Sequence, residues 1–319
     1  MLGLVVADND PAAIAASIAR MGWRLAIVLV FPITLVTLFD TLGWRFAFAH
    51  DRVGLATLVP ARLAGEAFNM TTPTAALGGE AVKTWLLRGR VPIDEAVSSV
   101  IVAKTTITIG QGLLLLLGVV LAWTSLPAGS PILRAMEWLV ALEVLALGAF
   151  VVVQMRGLAA RGARMLARVG LSRFEGHATL GRIDETLATF YRRRPLRLAL
   201  SIGCHFAAWL LGAVEAWLVL EFLGTPVSLV TATVIEAFGT GIRFATFLIP
   251  GSLGAQEGGY VMTFVALGLT GADGVTFGLV RRFRELVWVG IGLALFAAMR
   301  RGPVAGLADP ILPRKNPGG

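Results

Sequence analysis

The chain has 319 residues, of which 56% are hydrophobic and 15% charged, with a formal net charge of +8. Soluble domains are nearer a quarter charged, so this much apolar sequence excludes a single water-exposed fold and predicts a polytopic membrane protein. The basic excess lies mainly between apolar stretches and lacks aromatic interleaving, which excludes nucleic acid as a partner; one cysteine, Cys204, and three scattered histidines, His50, His177 and His205, exclude a disulfide framework and give no metal spacing.

At the N-terminus, Asp8 or Asp10 can cap a short helix with Pro11 in its first turn and Ile14, Ile18 and Met21 on one face, an interfacial helix by pattern. Ala47-Phe-Ala49 imitates a signal-peptidase site, but the long leader and Arg45 argue against cleavage. Apolar spans follow at 25–44, 53–70, 96–123, 132–155, 196–223 and 275–299. The stretch 227–271 holds one or two more crossings, with Gly239-Thr-Gly241 and Pro250-Gly251 as alternative break points. An all-α helical bundle of about seven or eight spans is expected, each near the 20 residues that cross a bilayer.

The 123–131 loop is uncharged, whereas the connector from Arg156 to Arg197 carries ten arginines against Glu175, Asp184 and Glu185. Positive-inside topology therefore puts the connector on the cytoplasmic side, together with Lys83, Arg88, Arg90 and both termini, the C-terminal one marked by Arg300, Arg301, Arg314 and Lys315. Within the connector, Leu180, Ile183, Leu187 and Phe190 recur at helical spacing, and 158–169 sets arginines against apolar residues. Such helices are expected in the headgroup region, apolar face down. The whole of 1–319 reads as one membrane domain, with repeat halves 1–155 and 196–319 joined by the connector 156–195.

The halves share a motif. Pro73-Thr-Ala-Ala-Leu-Gly-Gly-Glu80 and Pro250-Gly-Ser-Leu-Gly-Ala-Gln-Glu257 have their prolines and their glutamates 177 positions apart, and each follows a Glu-Ala-Phe triplet starting at Glu66 or Glu236. Lys104 and Arg282 match at a separation of 178. Broken apolar segments in corresponding positions of two halves point to a transporter binding site, so both motifs are expected as re-entrant or broken helices.

Charges inside the apolar segments concentrate around these motifs: Arg62 with Glu66 at i,i+4, Glu80 with Lys83, Lys104, Glu143, Glu215, Glu236, Arg243, Glu257, and Arg281 with Glu285. Ionised groups in a bilayer normally face a partner or a watery cavity, which makes this set a polar pathway. Gly78, Gly79, Gly251, Gly254, Gly258 and Gly259 stand where half-helices begin, and backbone amides exposed there suit a phosphate. Lys83, Lys104, Arg243, Arg281, Arg282 and Arg284 would supply countercharge, while Glu80 and Glu257 would hold the cations or accept a proton. Close helix packing through Gly254-x-x-x-Gly258 is the alternative use of these glycines.

The strings Arg62…Glu66-Ala-Phe-Asn69…Pro73…Gly78-Gly-Glu80, Leu248-Ile-Pro-Gly-Ser-Leu-Gly-Ala-Gln256-Glu-Gly-Gly-Tyr260 and Arg281-Arg-Phe-Arg-Glu285 resemble the lysylphosphatidylglycerol synthase transmembrane-region family, also called flippase-like proteins. They are most similar to its short members associated with hopanoid biosynthesis, the HpnL group. The resemblance implies a bacterial inner-membrane protein that translocates a lipid, whether anionic phospholipid, lipid-linked precursor or hopanoid, with the motif residues including Asn69 and Gln256 at the site. The chain ends soon after its last span, so no aminoacyl-transfer domain is expected.

The competing expectation is a membrane enzyme, or its accessory subunit, in isoprenoid, hopanoid or glycolipid biosynthesis. Against catalysis, Asp184-Glu185 lies in a basic connector, and Cys204 and His205 are neighbours in an apolar span, where packing explains them. Neither enzyme activity nor a cofactor is expected. Membrane lipids are the expected partners, with biosynthetic enzymes and a second copy of the chain left open.

Overall fold

The computed structural model describes residues 16, 19, 21–50, 53–72, 77–127, 129–156 and 177–301. The N-terminal helix expected before Met21, the segment 158–169, Pro73, Arg314 and Lys315 lie outside the described residues. The described residues form ten α-helices: α1 (Arg24–Ala47), α2 (Leu55–Thr71), α3 (Gly78–Leu86), α4 (Ile93–Ser125), α5 (Pro131–Met155), α6 (His177–Arg193), α7 (Pro195–Leu223), α8 (Leu229–Ala245), α9 (Ala255–Ala266) and α10 (Gly271–Arg301), with a 3-10 turn at Pro250–Ser252.

Length and composition sort these helices. α1, α4, α5 and α7 are long and apolar enough to cross a membrane. α10 has 31 residues but carries Arg281, Arg282, Arg284 and Glu285. α2 and α8 have 17 residues each, and α3 and α9 have 9 and 12, short of the roughly 20 a span requires. Breaks thus fall at both motifs.

The order of long helix, seventeen-residue helix, break, short helix and long helix occurs twice, as α1–α4 and as α7–α10. The two sets interlock: α1 lies along α7, α2 packs on α10, and α8 packs on α4. α5 is the outlier, docked mainly on α4 and only 11% buried over its most apolar stretch, so it forms a wall of the bundle.

Of the two alternative break points in 227–271, the chain uses the second. Gly239 and Gly241 are buried inside α8, where they admit the Tyr260 ring and the Leu115 and Leu139 side chains at close range. The turn comes at residues 246–254, where Gly251, Ser252 and Gly254 all take positive φ, and Thr246 Oγ1 and Ser252 Oγ meet at 2.9 Å across it. Among the described residues, Ser252 is the non-glycine residue held in the left-handed region, which the hydroxyl contact offsets.

α6 also differs from expectation. Ile183, Leu187 and Phe190 are buried in a core cluster with Trp44, Leu58, Leu87 and Val100, so the apolar face packs on the protein and not on lipid. Burying each such side chain contributes roughly 1.5–3 kcal/mol, which makes docking on the bundle the better use of that face. The Tyr191 hydroxyl donates to Gln154 Oε1 at 2.7 Å and ties α6 to the end of α5.

Candidate functional site

The first polar cluster is built by α1, α2, α3 and α4. α3 sits so close to α2 that a side chain at Gly79 would overlap the Gly65 carbonyl. Glu80, the third residue of α3, takes both of its oxygens to Lys83 Nζ at 3.1 Å and accepts a bond from Asn69 Nδ2 at 3.3 Å. Lys104 Nζ stands 3.9 Å from Glu80 Oε1, and its side chain remains 45% exposed. Arg62 pairs with Asp40 of α1, whose other oxygen is 3.0 Å from His205 Nδ1 of α7. Glu66, one turn after Arg62, is exposed and has no hydrogen bond or ion pair among the described residues.

The second cluster is tighter. Arg281 grips Glu236 with two nitrogens and lies 3.6 Å from Glu215, which also takes Arg284. Arg282 Nε reaches Glu257 Oε1 at 2.5 Å, and its other arm reaches Glu285 at 2.8 Å. Arg243 joins Glu285 at 2.6 Å and Gln256 at 3.1 Å, and Gln256 donates to the Tyr260 hydroxyl at 2.8 Å. Taking a charge out of water is costly, and these multiple bonds are what keep ionised pairs tolerable there.

The two clusters are formally neutral. In the first, Asp40, Glu66 and Glu80 face Arg62, Lys83 and Lys104; in the second, Glu215, Glu236, Glu257 and Glu285 face Arg243, Arg281, Arg282 and Arg284.

A cavity of about 500 Å³ opens beside the first cluster, within the size range of small-ligand sites. Asp40, Arg62, Glu66, Asn69, Glu80, Lys83, Lys104 and Arg243 line its polar side. Its lining also includes apolar side chains, Phe150 of α5 and Phe247, Leu248 and Ile249 of the α8–α9 break, all four at least 43% exposed. A second cavity of about 180 Å³ shares Asp40, Arg62, Glu66 and Arg243 with the first and continues to Glu215, Glu236, Gln256, Arg281, Arg284 and Glu285. One wall of charged residues therefore serves both spaces.

Most residues singled out from the sequence converge here, in changed roles. Arg62 pairs with Asp40 and not with Glu66, and Arg281 pairs with Glu236 and Glu215 and not with Glu285. Two of the amides expected to meet a phosphate are already used: Gly79 N donates to Asn69 Oδ1 at 2.8 Å, and Gly254 N donates to Glu257 Oε2 at 2.7 Å, the half of a capping box that a glycine N-cap permits. Gly78, Gly79, Gly254, Glu257 and Arg282 line neither cavity. Asp40 escaped the sequence reading because it stands near the end of an apolar run, where a charge looks interfacial. His205, expected only to pack, is the buried partner of that aspartate.

No solved structure matches the chain. It is similar to a UPF0104 membrane protein of Methanothermobacter thermautotrophicus, 26% identical over 279 residues that cover 77% of this chain and 75% of the relative. Residues 1–293, which contain both clusters and both cavities, match the family described as "Lysylphosphatidylglycerol synthase TM region", and the chain belongs to that family of membrane proteins.

Proposed function

We propose that the protein moves an amphiphilic lipid between membrane leaflets. The observation that carries this reading is the 500 Å³ cavity whose lining combines ion-paired side chains with exposed apolar ones. A headgroup would sit against Glu66, Lys83 and Lys104, while its tails leave past Phe150, Phe247, Leu248 and Ile249 into the bilayer. Membership in a family described by a lipid synthase's transmembrane region supports a lipid-related role.

Charge balance narrows the substrate. The arginines of the second cluster are spoken for by glutamates, so the cavity does not require an anion to neutralise them. The loosely held groups are one carboxylate, Glu66, and one ammonium, Lys104. A headgroup with an anionic and a donor end fits that pair, and a polyol such as a hopanoid headgroup fits it as well. The arginine-rich connector supports a placement in the bacterial inner membrane with the C-terminus toward the cytoplasm.

Purified protein in liposomes, supplied with fluorescent lipids in one leaflet, tests the proposal. Transfer of chemically unchanged lipid to the other leaflet is the expected result. Lipid that changes covalently would favour an enzyme or enzyme-partner role in lipid biosynthesis.

A further inference from the structure

Glu143 lies halfway along α5, 1% exposed, and neither carboxylate oxygen has a hydrogen-bond partner. It belongs to neither charged cluster. Gly112 of α4 lies beside it: a Cβ there would stand 3.4 Å from the Glu143 carboxyl carbon. Both helices line the large cavity one turn away, α5 through Ala146 and Leu147, α4 through Thr108 and Gln111.

Among the described residues, none of the hydrogen bonds or ion pairs of the helices packed on α5 reaches the Glu143 carboxylate. On α4, Lys104 faces Glu80; on α6, Tyr191 bonds Gln154; on α8, Glu236 and Arg243 belong to Arg281 and Glu285; on α9, Glu257 belongs to Arg282. On α5 itself, Glu137 bonds Trp123 and Arg134 bonds the Gly129 carbonyl. An ionised carboxylate with no partner in such surroundings is strongly disfavoured, and the remaining way to occupy the position is with a proton.

We propose that Glu143 is a proton-binding site and that its proton couples lipid passage to a transmembrane pH difference; the coupling rests on the transport proposal. With the proton in place, α5 seals against Gly112. When α5, the least buried of the long apolar helices, swings away to admit a lipid, water from the cavity reaches the carboxyl, and the O–H bond breaks to leave the carboxylate and a hydrated proton. Reclosure takes a proton back from the opposite side of the membrane, so that one proton crosses per cycle. Proton exchange is thereby tied to the movement that opens the cavity wall.

Two readouts separate the parts. Infrared spectra of the protein in lipid at neutral pH should show a protonated-carboxyl band that loses intensity in Glu143→Gln and keeps it in Glu137→Gln, an exposed acid on the same helix. In proteoliposomes with an imposed pH difference, wild type and Glu137→Gln should respond to the difference, and Glu143→Gln should still move lipid while losing that response. An unchanged band in Glu143→Gln overturns proton binding at this site. A retained response overturns the coupling. A wild type that moves no lipid sinks the transport proposal and the coupling with it, while the infrared band still decides whether Glu143 holds a proton.

Discussion

Arg282 Nε lies 2.5 Å from Glu257 Oε1, joining the interior of α10 to the first turn of α9. Its counterpart in the other half is the pair of Lys104 and Glu80, separated by 3.9 Å. In each case the glutamate is the third residue of the short helix, and the cation is the twelfth residue of the long helix that follows. One arrangement occurs twice with different tightness: the second copy closes α9 against α10, and the first leaves Lys104 reaching into the cavity.

Glu257→Gln should damage folding more than Glu80→Gln. Glu257 is 1% exposed, caps α9 through the Gly254 amide and pairs with Arg282, so its loss leaves Arg282 to Glu285 alone and removes a cap, an effect of about 2–3 kcal/mol. Thermal unfolding in detergent checks this. The double variant Glu257→Gln with Arg282→Gln should recover part of the loss, and additive losses would contradict the pairing.

Glu66→Gln should leave stability within about 0.5 kcal/mol of wild type, because no protein group depends on its charge for a hydrogen bond. Lipid translocation should nevertheless fall sharply, since this carboxylate lines both cavities and makes no hydrogen bond among the described residues. Matched thermal melts and leaflet-transfer rates read the two effects separately.

Lys104→Gln should cost less than about 1 kcal/mol of stability, as expected for a long, partly exposed ion pair. Its effect should appear in lipid preference: native mass spectrometry should show weaker retention of phosphate-bearing lipids and unchanged retention of neutral ones. Equal loss for both classes would remove Lys104 from headgroup recognition.

Gly79→Ala should destabilise by about 1–3 kcal/mol, because the added methyl meets the Gly65 carbonyl and Asn69 and pushes α3 off α2. Gly258→Ala, where the added methyl meets nothing within 4 Å, serves as the comparison and should be nearly neutral. Similar melting temperatures for the two variants would mean that close approach at Gly79 is not what holds α3.

The sequence by itself determined what depends on local composition and spacing. Hydropathy placed the long helices to within a few residues, because a bilayer demands a continuous apolar run of known length. The proline and glycine of residues 250 and 251 marked a helix break, and the repeat spacing foretold that Lys104 and Arg282 would hold matching positions. Tertiary structure decided the partners. Helical spacing offered Glu66 to Arg62 and Glu285 to Arg281, yet those arginines reach across 22 and 45 residues to Asp40 and Glu236. A charge in an apolar interior is stabilised by whichever opposite group shares its enclosed space with good geometry, and an i,i+4 neighbour is only one contender. The same physics turned the apolar face of α6 inward and left Glu66 and Glu143 without a hydrogen bond among the described residues, because both outcomes depend on which helices pack side by side, and no local run of sequence contains that information.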